Sequence, residues 1–154
     1  MIVRQLTIDD CQAVADLETQ LFDGRFDAAG LRELLNKPAF YGAVMPARNS
    51  PNTIYSYCLA FIMPMQADIV AIGTERANQG RGFGKTILQH FLVVTEQQNV
   101  AKIELEVAVD NMSARRLYES CGFHVSGFRK DYYYRGESRC DAIIMARQRD
   151  SAFP

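Results

Sequence analysis

The chain has no tryptophan, only two histidines, and no C-x-x-C pair among its four cysteines. Each scarcity removes a class of chemistry. His90 and His124 both lie outside any motif, so a Ser-His-Asp or Cys-His centre has little to draw on. Cys11, Cys58, Cys121 and Cys140 are too widely spaced for a zinc site, so no metal is expected and four free, mostly buried thiols are. No hydrophobic run is long enough for a signal peptide or a membrane span, which points to a cytoplasmic protein. An excess of one charge is missing too. A formal net charge of -1 gives no bulk attraction to nucleic acid or a membrane surface, and neither partner is expected.

What remains is an ordinary globular composition. With 154 residues, 48% of them hydrophobic and 23% charged, the chain is long enough to bury a real core as one domain spanning 1–154. No repeat, low-complexity tract or linker divides it. "IVRQL" alternates and reads as a short strand. "TIDDCQAVADLETQLF" has apolar residues at Ile8, Cys11, Val14, Leu17 and Leu21, a helical spacing. Thr7 is placed as its N-cap, with Asp10 at the capping-box position. "DAAGLRELLNKP" reads as a second helix, capped by Asp27 and stopped before Pro38.

The period then changes. "FYGAVM", "IYSYCLAFIM" and "ADIVAIGT" are β-prone runs separated by "ARNSPN" and "PMQ", and their tight spacing predicts antiparallel neighbours. A glycine-rich loop follows, then a helix with Phe83, Ile87, Leu88, Phe91 and Val94 on one face. "KIELEVAV" is a strand, "NMSARRLYESCG" a helix stopping at Gly122, and two strands complete the chain. The order β-α-α-β-β-β-α-β-α-β-β predicts an α+β fold around a mixed sheet, not a series of regular βαβ crossovers.

The glycine loop, "NQGRGFGKTIL", invites three readings. A Walker A loop needs G-x-x-x-x-G-K-[ST], but the first glycine would fall at position 79, where Gln79 stands. The dinucleotide fingerprint G-x-G-x-x-G fails because the glycines fall at 80, 82 and 84. Gln79-Gly80-Arg81-Gly82-Phe83-Gly84 does match Q/R-x-x-G-x-G/A, the acyl-CoA loop of the GNAT N-acetyltransferase superfamily. Glycines there let the backbone approach a pyrophosphate, and the helix start adds its positive end. A plain glycine-rich strand-to-helix turn would look the same in isolation. The downstream chain adds to the match. "LEVAVDNMSARRLYESCGF", Tyr132-Tyr133 and "DAIIM" together resemble the bacterial ribosomal-protein alanine N-acetyltransferases of the RimI type, from about Gln79 to Met145.

That resemblance implies the GNAT fold, a mixed, mostly antiparallel sheet flanked by about four helices. It also implies acetyl-CoA as cosubstrate and direct attack of an amine on the thioester; a monomer or homodimer is expected. In "KIELEVAV", Glu104 and Glu106 share a face because the strand period is two, an arrangement a solvated face would also show. The resemblance selects Glu106 as general base, acting through a bridging water. It selects Tyr118 as the group that protonates the departing thiolate, whereas an aromatic at that helical position would otherwise read as core. Asn111 is a helix N-cap that also aligns with the family's CoA-contacting Asn. Gln79 through Gly84 would hold the pyrophosphate, with Arg81 and Lys85 adding charge. Ile72, Gly73 and Thr74 would run beside the pantetheine and offer a backbone N–H to the oxyanion.

On the acceptor side the chain departs from the RimI-type pattern. Phe26, Tyr132 and Tyr133 are the candidate acceptor-binding residues. The RimI-type F-P-W-S segment is here "GRFD", with Phe26 in place of the aromatic, Asp27 in place of the capping Ser, and Arg25 in place of Pro. Ala108 stands where many members carry Arg, and Tyr134 where many carry Pro. A peptide α-amine with pKa near ~8 is about a tenth neutral at pH 7, whereas a lysine near ~10.4 is neutral in fewer than about one in a thousand molecules. A single modest base therefore suits an N-terminal α-amine. A small-molecule amine or lysine acceptor is the alternative enzyme reading, and an acyl-CoA-binding regulatory module the non-enzymatic one.

Overall fold

The structure is a computed structural model that describes residues 2–22 and 24–149. Among these residues, seven strands form one sheet in the order β1-β2-β3-β4-β5-β7-β6. The strands are β1 (Arg4–Gln5), β2 (Phe40–Ala47), β3 (Ser50–Met63), β4 (Gln66–Thr74), β5 (Lys102–Ala108), β6 (His124–Arg135) and β7 (Ser138–Gln148). The helices are α1 (Cys11–Leu21), α2 (Ala28–Leu34), α3 (Phe83–Gln97) and α4 (Met112–Ser120). Every strand pairing is antiparallel except β4 with β5. No described helix is long and apolar enough to cross a membrane.

Strand alternation divides the core between the two faces of the sheet. On one face α3 and α4 pack Ile87, Leu88, Phe91 and Tyr118 against Cys58, Ala60, Leu105 and Val107. On the other, α1 and α2 pack Val14, Leu17 and Leu31 against Val44, Tyr57 and Leu59. Both helix starts on the second face carry the side-chain bonds their sequences suggest. Asp27 Oδ1 accepts from the Gly30 amide at 2.7 Å, and Asp10 accepts from the Thr7 amide at 2.8 Å. The segment after Thr7 begins as a 3₁₀ turn at Ile8–Asp10 before the α-helix takes over at Cys11.

The β2–β3 hairpin is tighter than its turn-rich sequence suggests, because Ser50 already pairs with Ala47 and β3 begins there. Pro46 and Pro51 both fall where the ladder is irregular, between the Met45–Ser56 and Ala47–Ser50 pairs, so their missing N–H groups break no regular bond. A second irregularity lies in β4. Leu59 pairs with Ala71 and Ala60 with Ile69, which leaves Val70 as an extra residue. The bulge explains why Ile69 and Ile72, three apart, join the same core cluster.

One pairing positions the site. β4 and β5 run parallel from Gln66–Lys102 to Ile69–Leu105, and the pairing stops there. Past that point β4 stays with β3 and β5 stays with β7. The sheet therefore opens as a wedge between two central strands.

Candidate active site

A cavity of about 450 Å³ fills the wedge, within the range usual for small-ligand sites. Its walls are Ile69–Ile72 of β4 and Leu105–Ala108 of β5. Because Leu105 and Val107 point into the α3/α4 core, Glu106 between them faces the α1/α2 side. Tyr118 reaches the same cavity from α4 on the opposite face. Glu104, two residues earlier, pairs with Lys102 at 2.5 Å and does not line the cavity.

Glu106 sits among polar partners. Its Oε1 lies 2.7 Å from Arg129 Nε, and the Tyr132 hydroxyl is directed at its carboxylate. That contact, followed by burial, raises the Tyr132 pKa above the ordinary phenol value. Tyr133 is pushed up to about 12, by burial first and then by the Glu106 charge. Two adjacent strand residues normally face opposite ways, yet these rings meet edge-on with centroids 5.0 Å apart. The cause is a bulge: Arg129 pairs with Ala142 and Tyr133 with Cys140, so β6 spends extra residues. Asp131 adopts φ 53 within it, and its amide donates to Asp141 Oδ1 at 2.8 Å.

Tyr118 is 7% exposed, with its ring edge-on to Phe123 at 5.8 Å. Burial raises its pKa, which keeps the phenol neutral. Among the described residues, no side chain hydrogen-bonds its hydroxyl. Asn111 caps α4 by accepting from the Ala114 amide at 3.2 Å, and it also lines the cavity.

The glycine loop leaves the end of β4 and is tied back to it. Gln79 Nε2 donates to the Thr74 carbonyl at 3.1 Å. Gly80 and Gly82 take φ 77 and 84, a backbone that favours glycine, and the space a Cβ would enter is open. The amides of Gln79 and Thr86 have main-chain acceptors, Arg76 O and Gly82 O. Among the described residues none is found for the amides of residues 82 to 85, so a run of donors at the positive end of α3 is free for an anion. Arg81 is held at the loop by Asn78 Oδ1 at 2.7 Å and lies over the Phe83 ring, which stacks on Tyr55. Lys85 is exposed in the first turn of α3.

In β4, the Glu75 amide just past the strand donates to Tyr55 O at 2.8 Å. Alternate residues of a strand present their amides to alternate sides, so Gly73 shares the β3 side with Glu75. Ile72 and Thr74 turn theirs toward the wedge. Gly73 has a different job from its neighbours. An added Cβ there would sit 2.5 Å from the Tyr57 hydroxyl and 2.6 Å from its ring carbons, so the missing side chain makes room for Tyr57.

Phe26 packs, partly buried, against the α1/α2 core and is not among the cavity-lining residues; Phe22 and Arg25 line the cavity from the same region. Glu18 is a further residue of the site, outside every motif. It is 2% exposed, lines the cavity, and accepts from the Tyr57 hydroxyl at 2.5 Å. A signal for it exists: Glu18 falls between Val14 and Leu21 on the otherwise apolar stripe of α1. The ion pairs Arg129–Glu106 and Arg135–Asp110 carry no such signal, because they depend on strand register.

The acetyltransferase (GNAT) family profile matches residues 11–123. The chain is 36% identical over 156 residues to N-alpha-acetyltransferase RimI of Mycobacterium tuberculosis, covering 97% of this chain and 92% of that protein. It is 34% identical over 91 residues to the [ribosomal protein bS18]-alanine N-acetyltransferase of Escherichia coli, a match spanning 59% of this chain and 62% of the relative's length. The crystal structure of the E. coli ribosomal-protein-S18-alanine N-acetyltransferase superposes with a TM-score of 0.84 at 23% identity, covering 99% of both chains. With the family profile spanning most of the chain and a relative matched almost end to end, the protein belongs to the acetyltransferase (GNAT) family.

Proposed function

We propose that the protein is an N-acetyltransferase that moves the acetyl group of acetyl-CoA to a protein N-terminal α-amine. The observation that carries this reading is the cavity in the β4–β5 wedge, entered by Glu106 from one face and Tyr118 from the other. The acceptor class draws support from the relatives, whose names specify N-alpha and ribosomal-protein alanine acetylation.

In this reading the amides of residues 82 to 85 hold the coenzyme diphosphate, and the pantetheine follows the wedge edge of β4. Its amides are matched by the wedge-facing amides of Ile72 and Thr74. The thioester then lies between the splayed strands. Glu106, through a water, takes a proton from the incoming ammonium, and the neutral amine attacks the carbonyl carbon. A wedge-facing β4 amide meets the oxygen as it gains charge. The C–S bond breaks, the electron pair leaves on sulfur, and the extra proton on nitrogen passes to solvent water as the amide forms. Tyr118 donates its O–H to that thiolate. Burial raises the Tyr118 pKa, so complete transfer to a thiol near ~8.5 is uphill and hydrogen bonding to the departing sulfur is its main contribution.

A thiol-release assay with acetyl-CoA tests the reading against peptides bearing free α-amines, N-blocked lysine peptides and small amines. Turnover of the α-amine peptides above the other acceptors is expected. Turnover of small amines alone would contradict it.

A further inference from the structure

Two arginines line the cavity, Arg25 and Arg135, and a third, Arg129, pairs with Glu106 beside it. Two of the three are balanced by carboxylates: Arg129 pairs with Glu106 at 2.7 Å, and Arg135 makes a two-point pair with Asp110, one arm at 2.8 Å. Glu18, the remaining acid on this side, is buried against Tyr57. Arg25 differs from the other two. Among the described residues no carboxylate pairs with it. Its Nη2 donates to the Val70 carbonyl at 3.3 Å, and its guanidinium lies 5.5 Å from the centroid of the Phe26 ring. Val70 is the bulge residue of β4 and lines the cavity, so this tether holds Arg25 at the mouth with most of its donors unused.

Electrostatics place the same charge over the acceptor path. Burial raises the pKa of Glu18 and of Tyr133, and contact with Glu106 raises that of Tyr132; at all three the Arg25 charge pulls the other way. These groups lie on α1 and β6, so the field of Arg25 spans the mouth from both sides.

We propose that Arg25 selects acceptors that carry a carboxylate close behind the reacting amine, namely N-termini with Asp or Glu as second or third residue. The inference rests on the α-amine reading. An extended peptide advances about 3.3 Å per residue, so a side chain one or two residues back from Glu106 falls in the mouth, outside the wedge. There Arg25 stands with no carboxylate paired to it among the described residues. Arginine suits the task, because its planar fork meets a carboxylate with two parallel donors.

The test uses three peptides that differ only in the second residue, Asp, Asn or Lys, with wild type, Arg25→Gln and Arg25→Glu. For wild type, kcat/KM should fall from Asp to Asn to Lys by about threefold per step, as expected of a partly exposed pair, with the change carried in KM. The order should flatten in Arg25→Gln and reverse in Arg25→Glu. Ratios within one preparation cancel any loss of active protein. Peptides acetylated with the same Asp-to-Lys ratio in wild type and Arg25→Glu would overturn the proposal and leave the α-amine reading standing. No turnover of any peptide would remove both.

Discussion

Glu106 and Tyr118 enter one cavity from opposite faces of a single sheet. In a continuous sheet a carboxylate on one face and a phenol on the other are separated by a layer of backbone. Here the β4–β5 pairing ends at Ile69–Leu105, and beyond it Glu106 and Tyr118 both line the opening between the two strands. A thioester threaded through such an opening presents its carbonyl to an amine from one side and its sulfur to a donor on the other.

Tyr118→Phe separates packing from chemistry. The ring stays edge-on to Phe123, and the hydroxyl leaves no described partner behind, so stability should change by less than about 1 kcal/mol. The rate of thiol release should fall by about tenfold to a hundredfold. Thermal melts and initial rates on the same preparation check both. Unchanged turnover would remove Tyr118 from the reaction.

Gly82→Ala tests the loop. At φ 84 an alanine costs about 1–2 kcal/mol in backbone strain, although its Cβ meets no atom within 4 Å. Its methyl would also project where the diphosphate is expected. Gly136→Ala, at φ 61 in the β6–β7 turn and equally open, carries similar strain far from the loop. Calorimetry should show weaker acetyl-CoA binding for the first variant and unchanged binding for the second. Equal affinities would contradict the role given to the loop.

Gly73→Ala should be damaging without any contact to substrate. The new Cβ would stand 2.6 Å from Tyr57 ring carbons, and Tyr57 is fully buried. Overpacking of this kind costs about 1–3 kcal/mol. Adding Tyr57→Phe should not restore stability, because the ring carbons remain. Recovery by Tyr57→Leu, measured by denaturant unfolding, would confirm the steric cause, whereas recovery by Tyr57→Phe would point to the hydroxyl alone.

Glu18 supplies a pH signature. Burial, only partly offset by the Tyr57 hydroxyl and Arg25, holds its pKa above the ordinary carboxylate value. The folded state therefore binds this proton more tightly than the unfolded chain. The resulting stability is fully present below the unfolded value near ~4.3 and is lost as pH rises through the raised folded value. Relative to Glu18→Gln, wild type should lose stability across the weakly acidic range and then level off. Parallel melting curves against pH would contradict this.

The order of elements was legible in the sequence because it depends on local signals: the α1 stripe, the Asp27 cap, the glycine loop, the alternation of β5. Family pattern alone singles out Glu106 and Tyr118 in the sequence, and both line the cavity. The wedge was not legible, since it depends on where a parallel pairing stops, and nothing local to Ile69 or Leu105 records that. The bulges at Val70 and around Asp131 are equally non-local. Without the second, the adjacency of Tyr132 and Tyr133 to Glu106 has no visible cause. Phe26 packs partly buried against the α1/α2 core, and Phe22 and Arg25 are the residues of this region that line the cavity.

The most direct measurement is the pH dependence of acetyl transfer by Glu106→Gln, with acetyl-CoA affinity measured alongside. The amide keeps the shape of the side chain and removes its capacity to take a proton. The rate with an α-amine peptide should fall by about a hundredfold or more near neutral pH and recover toward high pH, where the amine supplies its own neutral form. Affinity for acetyl-CoA should stay within about twofold, as the diphosphate site lies on another element. A variant that matches wild type at neutral pH would show that Glu106 is not the base.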